Sequence, residues 1–293
     1  MIEGLAITPP VLGRISIGKV VERNGKRLPE KDDEFTVTSL VQTKDGWVNH
    51  PLDEALRKAS SDRKLRAIPV RVLFADPALN LRAEYSAFDR LTGRPMCAGN
   101  GQTCKRRTVD GLASLPCPGP QSCSYGQEHG CKPYGRLSVQ VEGQDDPLGS
   151  FVFRTTGYNS IRTLAARLHY YQALVGAALP CLPLTLRLRA KSTTQSHRSA
   201  VYFVDLVLRD GLTLEEALTQ ARAEAGSRSA AGWKQESLDA VAAACVGNGA
   251  FEDSEEEGDA VVEEFFNAHD AAPTATGLGS KLDARAQAVG VAS

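Results

Sequence analysis

No stretch of this 293-residue chain reaches the ~18 to 20 consecutive apolar residues that a bilayer-spanning helix requires. The longest mostly apolar run, 173–184, covers 12 residues and is broken by Pro180 and Pro183, so no membrane partner is expected. The opening residues, Met1-Ile2-Glu3-Gly4, show neither the basic n-region nor the apolar h-region of a secretory leader. The expectation is therefore a cytoplasmic protein whose thiols stay reduced. Catalytic signatures are missing as well: there is no H-E-x-x-H, no G-x-S-x-G, no G-x-x-x-x-G-K-[ST], and no H-x-E paired with P-C-x-x-C. Pro116-Cys117-Pro118 matches only a fragment of the last pattern. None of the five histidines (His50, His129, His169, His197, His269) is paired at metal or triad spacing, and His197 reads as a solvated loop residue. These absences point away from an enzyme. A metal-dependent hydrolase stays as an alternative that would need an open metal position with His or carboxylate ligands. No internal repeat of 20 to 50 residues stands out.

What the chain does have is cysteine in one place. Five of its seven cysteines, Cys97, Cys104, Cys117, Cys123 and Cys131, fall in a stretch rich in Gly and Pro. Clustered thiolates suit a closed structural Zn2+ site, although no tight C-x2-C knuckle is present, and free thiols or disulfides are the competing readings. Five thiols plus His129 exceed the four places on such an ion. Cys117, Cys123 and Cys131 share one compact segment and are the firmest ligands, with Cys97 or Cys104 completing the set. Cys181 and Cys245 read as packed thiols. Four thiolates leave a zinc centre with a net charge of −2, which nearby cations must offset. Lys105, Arg106 and Arg107 directly follow Cys104, and either do that or face a phosphate backbone.

The charge balance is uneven. From Phe251 onward ten acidic residues face only Lys281 and Arg285, so the near-neutral total of −1 hides a body at +7 and an extension at −8. A basic body can attract nucleic acid, through Lys105, Arg106, Arg107, Lys132, Arg136, Lys191 and Arg198, with an affinity that falls as salt rises. The acidic run taken alone reads as a solubility device.

Apolar periodicity predicts strands over 14–21, 35–41, 68–74, 81–88, 137–141, 151–155, 182–188 and 201–208. Helices are expected at 51–59, where Pro51 occupies the first turn, and from Asn159 or Ser160, with Ile161, Leu164, Leu168, Tyr171 and Leu174 on one face. Two more are expected at 214–225 behind a Thr213/Glu216 capping box, and at 235–245. The fold class is α+β: an antiparallel, sheet-rich body with one packed central helix. The body spans 1–210 and includes a loop-rich, zinc-binding insertion at 94–135. A helical acidic extension (211–267) and a disordered tail (268–293) follow.

Several short segments, in order, carry a family resemblance. Leu12-Gly13-Arg14-Ile15-Ser16-Ile17-Gly18, Asn24-Gly25-Lys26 and Phe35-Thr36-Val37-Thr38-Ser39 resemble the N-terminal signature of phage-type recombination directionality factors, found on phages and integrative elements. Cys97 with Gly99, then Cys117, Cys123 and Cys131-Lys132-Pro133, fall where that family's metal segment is expected. Gly149-Ser150-Phe151 and Thr155-Thr156-Gly157 extend the likeness, which covers roughly residues 10 to 210. The resemblance implies a non-enzymatic partner of a site-specific recombinase, a large serine integrase, that turns recombination from integration toward excision by protein contact. A general nucleic-acid-binding protein of phage or integrative-element recombination or replication is the alternative. Cys104 and the acidic extension have no counterpart in that pattern.

Overall fold

Alternating apolar residues start the sheet. The computed structural model, which describes residues 9–23, 26–44, 46–192, 200–245, 261–262 and 265–266, begins with β1 (Val11–Arg23) and its antiparallel partner β2 (Lys26–Thr43), followed by the short β3 (Gly46–Asn49). Helix α1 (Pro51–Ala59) comes next. Proline sits in its first turn, where a missing N–H costs nothing, and His50 Nδ1 caps it by accepting from the Leu52 N–H at 3.2 Å. Strand β4 (Ala67–Arg71), the one-turn helix α2 (Pro77–Asn80) and β5 (Leu81–Phe88) lead into the cysteine segment.

That segment, expected to be loop-rich, carries three strands, β6 (Pro95–Gly99), β7 (Thr103–Thr108) and β8 (Gly111–Pro116), then a strand-free stretch with a single helical turn, α3 (Ser124–Glu128). Asn100 makes the β6–β7 turn, its side-chain oxygen accepting from the N–H groups of Gln102 and Thr103 at 2.9 Å each. The remaining elements are β9 (Lys132–Val141), β10 (Ser150–Thr155), α4 (Tyr158–Val175), a 3-10 turn at Gly176–Cys181, β11 (Leu184–Ser192), β12 (Ala200–Leu208), α5 (Leu214–Ala230) and α6 (Gln235–Cys245). The capping box at Thr213 and Glu216 is present at the start of α5.

The strands form one sheet in the order β3-β2-β1-β10-β9-β5-β6-β7-β8. Strand β4 bridges from β9 to β11, which pairs with β12. The sheet is mixed, which corrects the expectation of a purely antiparallel body: β1 runs parallel to β10, with Gly13 opposite Phe151 and Ile15 opposite Phe153. A parallel pair needs a long crossover, and here everything from β2 to β9 supplies it. Glycine is required at 13, because a Cβ there would stand 2.3 Å from the Thr38 carbonyl oxygen and 2.8 Å from the Phe151 ring.

One face of the sheet is apolar. Ile15, Phe35, Val37, Leu137, Val139, Phe151 and Phe153 join Leu164, Leu168 and Tyr171 of α4 in the main core, with Leu184, Leu186, Val204 and Leu206 from β11 and β12 and Ala217 and Ala221 from α5. Among the described residues no helix is long and apolar enough to cross a membrane. The expected tail at 268–293, the acidic residues 252–259 and the polar connection 193–199, with His197 and Arg198, lie outside the described residues.

A buried charge ties α4 to the sheet. Asp205 of β12 accepts from Arg167 Nε at 3.0 Å and Nη2 at 3.2 Å, and from Arg189 Nε at 2.7 Å. Burial disfavours its charge, but the hydrogen bonds from Arg167 and Arg189 outweigh that and hold its pKa below the ordinary 3.8. A carboxylate with a depressed folded-state pKa stabilises fully above its ordinary pKa and loses that contribution as pH falls through the folded value. Asp205→Asn should therefore cost roughly 1.5–3 kcal/mol at neutral pH. In urea unfolding, the gap between variant and parent should close as the pH drops below 3.8.

Candidate thiol metal centre and basic sheet face

The pleat sorts the residues of the insertion onto two faces. Cys97 lies opposite Ala87 on β5, and Cys104 opposite Leu115 on β8, so these four side chains share the face that α4 covers elsewhere. The segment after β8 folds back over them. Cys117 N–H donates to the Gln102 carbonyl at 2.8 Å, and Cys131 N–H to the Gly126 carbonyl at 2.7 Å. Cys123 is the N-cap of α3, its Sγ accepting from the Gly126 N–H at 3.4 Å. The result is a single small cavity lined by all five clustered cysteines together with Arg106 and Tyr125.

All five thiols are free of disulfides. Cys104 Sγ points its proton at the Pro116 carbonyl, 3.7 Å away. Burial, then the hydrogen bond and charge of Cys97, push the Cys104 thiol up to about 11, and burial reinforced by the surrounding thiols pushes Cys131 up to about 12. As they stand, these groups hold protons. Among the described residues no group of three or more His, Cys, Asp and Glu side chains stands in a metal-holding arrangement. The donor chemistry nonetheless suits a soft ion, which binds thiolates and displaces their protons on binding. His129 is turned away from the cavity: its ring stacks on Tyr125 at 3.9 Å and its Nδ1 lies 3.0 Å from the Tyr125 carbonyl. Cys181 is buried in the main core, and the side chain of Cys245 lies outside the described set.

The basic triplet does not act as one patch. Arg106 points into the thiol cavity, its guanidinium 4.0 Å over the Tyr125 ring and its Nη2 3.7 Å from Cys123 Sγ. Lys105 and Arg107, one residue to either side, alternate to the opposite face of the sheet. On that face β9 presents Lys132, Tyr134 and Arg136. The register sets Arg82 of β5 and Arg154 of β10 directly across from Arg136, and places Arg14 of β1 one strand further on, stacked on Trp47 at 4.0 Å. Four of the expected nucleic-acid residues, Lys105, Arg107, Lys132 and Arg136, are thus brought to a common face. Lys191 is not among them; its Nζ donates to Asn159 Oδ1 at 2.7 Å, beside the start of α4. Arg198 lies outside the described residues. Arg82 was missed, as were Arg14 and Arg154, which lie on the same face but are buried at 5% and 7% exposure. Their signal was the period-two pattern of the strands that carry them.

These features define an α+β sheet protein with a thiol-lined insertion on one face and a cationic row on the other. A family model described as Gp3-like, recombination directionality factor-like, matches residues 12–209, and the chain belongs to that family. The match runs from β1 to the end of β12, and so contains both the thiol cluster and the cationic row but neither α5 nor α6. Membership places the chain among proteins with an accessory role in recombination. No curated protein and no solved structure matches it.

Gly99 sits where the two strands and the returning segment meet. A Cβ there would fall 2.6 Å from Cys104 Cβ and 2.9 Å from Cys117 Sγ. Gly99→Ala should therefore force Cys117 out of the cluster and cost about 1–3 kcal/mol by overpacking, measured as a lowered urea midpoint with unchanged slope.

Proposed function

We propose that this chain is a zinc-stabilised accessory factor of mobile-element DNA recombination, which binds a site-specific recombinase of the integrase type and favours excision without catalysing a reaction itself. The family match across 12–209 carries this reading. A partner can redirect a two-state assembly only by binding one arrangement more tightly than the other. Moving an equilibrium from 1:99 to 99:1 takes about 5.5 kcal/mol of differential affinity, well within reach of an ordinary protein interface.

The single cavity lined by five cysteines supports the metal part of the proposal. Cys97, Cys117, Cys123 and Cys131 would hold the ion, leaving Cys104 with its thiol on the Pro116 carbonyl. A closed all-thiolate zinc site supplies structure only, and its binding free energy contributes directly to folding. Arg106 would then offset the excess negative charge of the centre from within the cavity. A second reading, direct binding of DNA, is favoured by the common face of Lys105, Arg107, Lys132 and Arg136.

Purified protein should contain one zinc per chain. Cys123→Ser should lose the metal and destabilise β6 to β9, whereas Cys104→Ser should keep it. A tetrathiolate that needs Cys104 would reverse that pattern in elemental analysis. For the recombination role, adding the protein to a cognate integrase should switch the favoured reaction from integration to excision. Unchanged direction would contradict the proposal. Salt-sensitive retention on DNA in the absence of any integrase would support the second reading.

A further inference from the structure

A second cluster of buried side chains lies apart from the main core, on the cationic face. It consists of Phe88 and Tyr134 from β5 and β9 with Val261 and Phe265 from the acidic extension, and Phe266 packs against it. Val261 and Phe265 are both 0% exposed. The Phe265 ring meets Phe88 edge-on at 4.7 Å and Tyr134 at 5.8 Å. Lys132 Nζ stands 4.6 Å over the Phe265 ring, and the Arg90 guanidinium 4.9 Å over that of Phe266. The Phe266 N–H donates to the Val262 carbonyl at 3.0 Å, so the anchors Val261 and Phe265 project from one helical turn at i, i+4 spacing.

Phe88, Tyr134, Lys132 and Arg90 belong to the family-matched region, and their occupant does not. The arrangement has the anatomy of a peptide-binding site: an aromatic pair at the centre, cations at the rim, and a segment presenting anchors at i, i+4 to it. The charges also agree. Eight of the thirteen residues in 252–264 are acidic, while the receiving face carries Lys132, Arg136 and Arg82 along adjacent strands, with Glu84 3.9 Å from Arg82.

We infer that the outer face of β5 and β9 is a docking site for an acidic-aromatic helical peptide, held in cis by this chain's own Val261, Phe265 and Phe266. The extension is a tethered competitor. A partner segment of the same chemistry gains access only by displacing it, so the extension sets the threshold for binding at this face. The inference stands whether or not the chain binds a recombinase.

The test uses the full chain and a fluorescein-labelled peptide of residues 252–268, followed by anisotropy. A cis competitor on a tether of this order acts at an effective concentration on the order of millimolar, so Phe265→Ala combined with Phe266→Ala should bind the peptide about tenfold or more tightly than the parent. Adding Lys132→Glu should abolish the gain. Equal affinity of parent and double variant, or no binding by either, overturns the inference. A gain for duplex DNA with none for the peptide also overturns it and assigns the face to phosphate. A measurement on the unaltered chain guards against misfolding of the variant: excess unlabelled peptide should raise hydrogen exchange across 261–266 about fivefold or more as the cis segment is displaced. Unchanged exchange at saturating peptide contradicts the tethered competitor.

Discussion

Strands β6, β7 and β8 reach the rest of the sheet through one edge of backbone hydrogen bonds and through a cluster in which cysteine supplies most of the side chains. Ala87, Cys97, Cys104, Leu115, Cys117, Tyr125 and Cys131 make up that cluster, while Val109 and Leu112 at the far hairpin are exposed. A patch this small, with four cysteines among its seven side chains, offers little carbon for the hydrophobic effect. We propose that sulfur chemistry decides whether the insertion is rigid. On the zinc reading the metal is the fastening, and Arg106 on Tyr125 is the lid that balances its charge.

The same strands carry residues for the opposite face, which links the two halves of the account. Cys104 and Arg106 enter the thiol cavity because Lys105 and Arg107 do not; a pleat of period two permits no other distribution. Strand β9 repeats the division, sending Leu137 and Val139 to the core under α4 and Tyr134 and Arg136 outward. A loosened insertion would thus misplace Lys105 and Arg107 relative to Lys132 and Arg136, even though these cations lie on the face away from the thiols. The thiol cluster on one side and the cations on the other are coupled through the sheet itself.

Elements with strong local signals were legible in the residues. Leu81 to Ala87 alternates apolar and polar residues until Phe88 breaks the pattern, and Pro51–Ala59 has its proline, its cap and a last-turn Arg57 in place. The insertion was not legible as strand, because Gly, Pro and charged residues depress strand propensity and the pairing partners that override it are tertiary. The parallel join of β1 to β10 left no local trace, since its partners stand at opposite ends of the body. At Lys105-Arg106-Arg107 adjacency leaves open whether the cations screen the thiols or face outward, and the strand divides them: Arg106 lies in the cavity, Lys105 and Arg107 on the other face. The five cysteines were legible as neighbours, and all of them line one cavity. Arg14, Arg82 and Arg154, which complete the cationic row, become visible only once the register of β9 with its neighbours is known.

X-ray absorption at the zinc edge of the purified full-length chain tests the fastening most directly. The account predicts a first shell of four sulfur scatterers at about 2.3 Å and no nitrogen or oxygen. A shell containing imidazole or carboxylate, or an edge too weak for one ion per chain, would contradict it.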